Sequence, residues 1–154
     1  MTNPVETRLA ELGLSLPDAP APAANYVPYV RSGALVFVSG QISAGREGPV
    51  TGKLGADLAV EQGAEAAKLC ALALIAQLRG ACDGDLSRVK RVVKLNGFVN
   101  CTPDFTDQPK VVNGASDLMV AVFGEAGRHA RAAVGAPSLP LGVAVEVEGV
   151  FEIA

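Results

Sequence analysis

Between Lys68 and Arg79 runs the segment Leu69-Cys70-Ala71-Leu72-Ala73-Leu74-Ile75-Ala76-Gln77-Leu78. It sits inside a longer pattern in which Val60, Ala64, Ala67, Ala71, Leu74 and Leu78 recur every three or four residues, the period of a helix. Asp57 is the expected N-cap, and the Gly80 and Gly84 region the expected end. From Leu69 to Ala76 this helix is apolar almost all round, so other elements must cover it on more than one side. The run is about half of the ~20 residues that a membrane span needs. It is therefore the centre of a core, and the remaining elements must be able to wrap it.

The chain has 154 residues, enough for one domain with a substantial core. Val5, Leu9 and Leu12 predict a short amphipathic helix, and Leu16 to Ala24, interrupted by Pro17, Pro20 and Pro22, predicts an extended arm. Tyr29 to Arg31 and Leu35 to Ser39 read as a hairpin around Ser32-Gly33-Ala34, followed by a loop through Gly45, Gly48 and Gly52. Val89 to Val99 reads as a strand with Val89, Val93, Leu95 and Val99 on one face and Lys90, Lys94, Asn96 and Asn100 on the other. A second long helix carries Val111 or Val112, Ala115, Leu118 or Met119, and Val122, and closes at Gly124. Arg131 to Ala136 and Val143 to Ile153 complete the strands. The last one alternates cleanly, with Val145, Val147, Phe151 and Ile153 against Glu146, Glu148 and Glu152.

This order predicts a single α+β domain over 25–154, with a mixed sheet and both long helices on one face, preceded by a helix and arm over 1–24. The opposite sheet face has no helix to cover it. Hydrophobic residues make up 49 % of the chain against 19 % charged, and the mean hydropathy is +0.31, so a neighbouring subunit is the expected cover.

Composition also narrows the function. Thirteen basic and sixteen acidic residues give a net charge of −3, and only 5 % of the residues are aromatic, which argues against a nucleic-acid binder. Cys70, Cys82 and Cys101 are odd in number and show no C-x-x-C spacing, so they read as reduced core residues remote from the candidate charges below. His129 is the sole histidine, which excludes a His-rich zinc site. No Ser or Cys stands at a motif spacing from it, which argues against a nucleophilic dyad. The N-terminus shows no apolar secretory segment and no helix reaches membrane length, so the expected location is the cytoplasm, without membrane partners.

Glu146 and Glu148 project to the same side of their strand about 7 Å apart, as an acid and base pair or as a solvated edge. Arg131, followed by Ala132-Ala133-Val134, needs an anionic partner: one of these glutamates, or a ligand carboxylate gripped through a bidentate fork. Ser39-Gly40-Gln41 ends a strand, either as an ordinary turn or as a place where a ligand approaches bare backbone. Tyr29 fits a core position, and Asn113 fits a polar contact early in its helix.

Val38-Ser39-Gly40-Gln41-Ile42, together with Arg131-Ala132-Ala133-Val134, Leu139-Pro140 and Val145-Glu146-Val147-Glu148, resembles the RidA (YjgF) family, also called the endoribonuclease L-PSP family. The resemblance extends from about Tyr29 to the C-terminus and places the chain in a divergent branch. It implies a chorismate-mutase-like fold and a homotrimer with small-molecule clefts between subunits. It also implies hydrolysis of 2-imino acids, such as iminopropanoate and iminobutanoate, to 2-keto acids and ammonia, without metal or other cofactor. On this chain Arg131 would grip the substrate carboxylate and Glu146 would orient water. Tyr29, Ser39, Gly40, Asn113 and Ala133 would bind substrate, Gly40 and Ala133 through their amides. Ala133 stands where many members carry Cys, a change that leaves the amide in place. The N-terminal arm and the Thr102 to Val112 loop are additions at the expected cleft mouth. The rival expectation is a non-catalytic trimer binding a small carboxylate, such as a keto acid or amino acid. Ribonuclease activity, suggested by the older family name, fits poorly with a single histidine and net negative charge.

Overall fold

The computed structural model describes residues 3–22 and 24–154; Met1, Thr2 and Ala23 of the expected N-terminal segment lie outside them. Helix α1 (Pro4–Glu11) is capped by Asn3, whose side-chain oxygen accepts from the N–H groups of Val5 and Glu6 at 2.9 and 3.4 Å. Leu9 joins the core, and Arg8 Nε donates to Ala121 O at 2.8 Å. The proline-rich arm then runs without helix or strand. The buried Gln77 amide ties it down, donating to Pro20 O at 2.7 Å.

Strands β1 (Tyr29–Ser32) and β2 (Leu35–Ile42) form the expected hairpin, and the glycine-rich stretch folds into a second, very small one, β3 (Ala44–Gly45) and β4 (Gly48–Pro49). There follow α2 (Val60–Ala81), β5 (Val89–Asn100), α3 (Gln108–Phe123), β6 (Ala130–Ala136) and β7 (Val145–Ile153). The main sheet has the order β1-β2-β7-β5-β6. All neighbours are antiparallel except β5 and β6, whose parallel pairing follows from the α3 crossover between them. Helices α2 and α3 pack side by side on one sheet face. They meet at Gly114, where a Cβ would stand 1.9 Å from Ala64 O, and α3 meets the sheet at Gly97, where a Cβ would stand 2.6 Å from a Val112 methyl.

The all-round apolar helix is covered as its composition demands. Cys70 through Leu78 are all buried, and burying side chains such as Leu74, Ile75 and Leu78 contributes about 1.5–3 kcal/mol each. Its start departs from expectation. Helix α2 begins at Val60 after Ala59, whose N–H donates to Gln62 Oε1 at 2.8 Å. Asp57 instead closes a preceding turn, accepting from the Lys53 N–H at 3.0 Å.

Strand β5 also departs from simple alternation. Its register with β7 shifts between Val89 and Arg91 and again between Val92 and Lys94, so Val92 points into the core and Val93 is exposed. Asn100 is buried too: its Oδ1 accepts from Lys53 Nζ at 2.7 Å and its Nδ2 donates to Val143 O at 3.1 Å. Cys70, Cys82 and Cys101 are free and buried. On the sheet face away from the helices, Val30, Phe37 and Val134 are 53, 44 and 48 % exposed. Among the described residues no helix is long and apolar enough to cross a membrane.

Candidate functional site

Strand β6 is an edge strand, and on it Arg131 pairs with Leu95 and Ala133 with Gly97. Leu95 and Gly97 face the helices, so Arg131 projects onto that side, against α3. Its Nη1 donates to Asn113 Oδ1 at 2.8 Å and to Ser116 Oγ at 3.2 Å, and its Nη2 donates to Pro109 O at 3.3 Å. All three acceptors are neutral. They fix the guanidinium plane and leave its charge uncompensated.

Ser116 escaped the sequence reading. It lies three residues beyond Asn113, hence on the same helix face, and a polar pair at that spacing was its only local signal. Its Oγ is 2.9 Å from His129 Nε2, while His129 Nδ1 is 2.6 Å from Gly127 O. A carbonyl can only accept, so Nδ1 carries the proton in the neutral ring, and the Ser116 hydroxyl donates to Nε2. No Ser or Cys stands at a motif spacing from His129, yet the fold brings the Ser116 hydroxyl to it. Thirteen residues of helix and turn separate the two in sequence, and only the fold joins them.

Glu146 belongs to the other side of the sheet. Val145, Val147, Phe151 and Ile153 are buried against the helices, so the alternating glutamates face away from them. Opposite them the register of β2 slips between Val38 and Gln41, an irregularity that contains Ser39 and Gly40. A Cβ on Gly40 would lie 2.7 Å from Glu146 Oε2. The bare Cα therefore serves first to admit the Glu146 carboxylate. Glu146 is half-buried and accepts no hydrogen bond among the described residues. Burial, and secondarily the charge of Glu148, push its carboxyl above the usual glutamate range. Glu148 itself accepts from Asn96 Nδ2 at 3.1 Å.

Cys70 lies beneath this strand, with Sγ donating to Val145 O at 3.5 Å, which corrects the expectation that all three cysteines stand clear of Glu146. Burial and the Glu146 charge push the thiol pKa up, so it stays protonated and unreactive.

Arg131 and Glu146 therefore lie on opposite faces of one sheet, two strands apart, and form no ion pair within the chain. Within the chain, Arg131 therefore makes no structural pair with Glu146 or Glu148. The remaining candidates divide the same way. Asn113 and Ala133 accompany Arg131 at the β6 edge, whereas Ser39 and Gly40 lie on β2, next to β7. Ser39 Oγ donates to Val27 O at 2.7 Å. Tyr29 pairs with Val38, half-buried, with its hydroxyl 3.6 Å from the Cβ position of Gly80 on α2. Among the described residues no three His, Cys, Asp or Glu side chains converge on a possible metal site.

Comparison with known proteins agrees with this architecture. The sequence profile of the family described as "YjgF/chorismate_mutase-like, putative endoribonuclease" matches residues 6–152. Protein TCP17 of Trypanosoma cruzi is 55 % identical over 151 residues, covering 97 % of this chain and 94 % of that protein. The RutC family protein y4sK of Sinorhizobium fredii is 32 % identical over 140 residues, covering 91 % and 96 %. The crystal structure of Atu1372 from Agrobacterium tumefaciens, a protein of unknown function, superposes with a TM-score of 0.92 at 49 % identity, covering 98 % of this chain and 93 % of that one. With the profile spanning nearly its whole length and the mixed sheet backed by two helices, the chain belongs to the YjgF/RutC family.

Proposed function

We propose that this protein is a 2-imino acid hydrolase that works as a homotrimer, releasing a 2-keto acid and ammonia. The observation that carries the reading is the state of Arg131. Three neutral acceptors hold its guanidinium in one plane with no carboxylate paired to it among the described residues, the arrangement suited to a bidentate grip on a carboxylate ligand.

Glu146 supplies the second half. Water adds to the carbon of the protonated imine as one of its protons passes to the Glu146 carboxylate, giving a neutral carbinolamine. Glu146 then returns that proton to nitrogen, and as the C–N bond breaks and ammonia leaves, the carbinolamine hydroxyl gives its proton back to Glu146 and its oxygen becomes the keto carbonyl. A half-buried carboxylate with a raised pKa is a stronger proton acceptor than an exposed one, and its protonated form is accessible closer to neutral pH for the return step. The imine carbon is already electrophilic, so positioning water contributes much of the rate.

Because the two charges face opposite sides of the sheet, they can address one substrate only when Arg131 of one subunit meets Glu146 of another. The exposed Val30, Phe37 and Val134 on the face that carries Glu146 supply an apolar surface for that contact.

The test is release of keto acid and ammonia from enzymatically generated 2-iminobutanoate, alongside light scattering at micromolar concentration. Catalysed release by a trimer supports the reading. A stable monomer, or release at the uncatalysed rate, overturns it. The carboxylate-binding alternative would show tight keto-acid binding with no turnover, and Glu146→Gln would then change nothing catalytic.

A further inference from the structure

Helix α2 is apolar on a flank that neither the sheet nor α3 covers. Leu69, Leu72, Ala73 and Gln77 follow one another at helical spacing along that flank, and the N-terminal arm crosses above them. The arm touches this flank at separate points, with Leu16 packed against the core and Pro20 O accepting from Gln77. Between the two lies a cavity of about 880 Å³, roofed by Leu16, Pro17 and Pro20 and reaching Gly40, Ile42 and Glu146. A concave, largely apolar space of this size with a few polar groups at its edge has the dimensions of a small-molecule site.

The roof is held in place. Gln77, buried inside, donates to Pro20 O at 2.7 Å, and the prolines restrict the arm's conformations. Of the other polar side chains along the cavity, Ser15, Asp18, Tyr26 and Arg46 are exposed, and the buried Gln41 amide is satisfied, donating to Ser39 O and accepting from Gln77, so leucine, proline and alanine make up most of the inner lining. Set into this lining, the half-buried Glu146 carboxylate makes no hydrogen bond to a described residue. An imino acid with a one- or two-carbon side chain would leave most of the chamber filled with water against apolar walls, which is unfavourable. A branched or aromatic side chain would cover more of those apolar walls than a methyl or ethyl group does.

We infer that the arm and the α2 stripe form the side-chain pocket for the substrate, selecting 2-imino acids with bulky apolar side chains, such as those formed by oxidation of leucine or phenylalanine. This rests on the hydrolase reading above and specifies its substrate.

The experiment compares kcat/KM for imines generated in situ by an amino acid oxidase from alanine, leucine and phenylalanine. The leucine- and phenylalanine-derived imines are expected to be preferred over the alanine-derived one by at least tenfold. Ala73→Phe, which projects a ring into the chamber, should lower the leucine-to-alanine ratio by about tenfold. Because that variant adds bulk at a buried position, a second measurement uses the wild-type protein: calorimetric titration with 4-methyl-2-oxopentanoate and with pyruvate, in which the branched acid should bind at least tenfold tighter. Equal or greater turnover of the alanine-derived imine overturns the inference and leaves the hydrolase reading standing. If no imine is hydrolysed, the hydrolase reading fails and the titration decides alone. Tighter binding of the branched acid then supports the pocket, and equal or absent binding overturns it.

Discussion

The carboxylate of Glu146 occupies the space that a side chain on Gly40 would need, with Oε2 2.7 Å from the Cβ position. Two residues more than a hundred positions apart thus depend on one another: the glycine is required where the acid sits. The obstructing atom is the end of a flexible side chain rather than backbone, so a larger residue at 40 displaces the acid before it disturbs the fold. Gly40→Ala is accordingly expected to leave the melting temperature nearly unchanged while imine hydrolysis falls about tenfold or more, as happens when a catalytic group is misplaced by about an ångström. Paired melting and turnover measurements check this. A large loss of stability with proportionate activity would contradict it.

Glu146→Gln removes the proton acceptor but keeps the shape. Keto-acid binding should be retained or slightly tightened, since a negative charge near an anionic ligand is gone, while turnover falls by about 100-fold. The wild-type rate should decline as pH falls through the raised Glu146 pKa, because the protonated acid no longer accepts from water. Stability moves in the opposite sense. Burial disfavours the ionised form in the folded state, so the folded protein holds this proton more tightly than the unfolded one. The resulting contribution is fully present below the ordinary glutamate range and is lost as pH rises through the raised folded value. Melting curves across that window should show this dependence in the wild type and its absence in Glu146→Gln.

Arg131→Ala should cost about 1.5–3 kcal/mol of carboxylate binding, or tenfold to a hundredfold in affinity. Arg131→Lys should rescue little, because an ammonium cannot span the directions defined by Asn113, Ser116 and the Pro109 carbonyl. Ser116→Ala removes one acceptor from the guanidinium and the donor to His129. It should raise KM several-fold with a smaller effect on kcat, and Ser116→Thr, which keeps the hydroxyl, should restore part of the affinity. Steady-state kinetics on the four variants separate these outcomes.

Gly114→Ala provides a contrast with Gly40→Ala. Here the added Cβ would stand 1.9 Å from the Ala64 carbonyl oxygen, and α2 and α3 would have to part. Overpacking of this kind costs about 1–3 kcal/mol or more, so denaturant melts should show a clear loss of stability. A variant as stable as the wild type would show that the helices can separate freely.

The pattern of apolar residues by itself determined the long core helix, the terminal alternating strand, the order of the elements and the pairing of a hairpin with two crossover helices. Such patterns are local: each element declares its buried face within its own few turns or pleats. Where a simple pattern failed, a competing contact intervened. Asp57 was drawn to the Lys53 backbone four residues away, and bulges in β5 against β7 exchanged Val92 for Val93 at the core. Arg131 and Glu146 were singled out by the resemblance to the RidA family, since their apolar neighbours alone left each open between a structural or solvated role and a functional one. The sequence was silent on their separation across the sheet, on Ser116 closing the path from Arg131 to His129, and on the chamber beneath the arm. These are decided by strand register and by how helix and arm pack over the sheet, relations between residues tens of positions apart that no periodicity records.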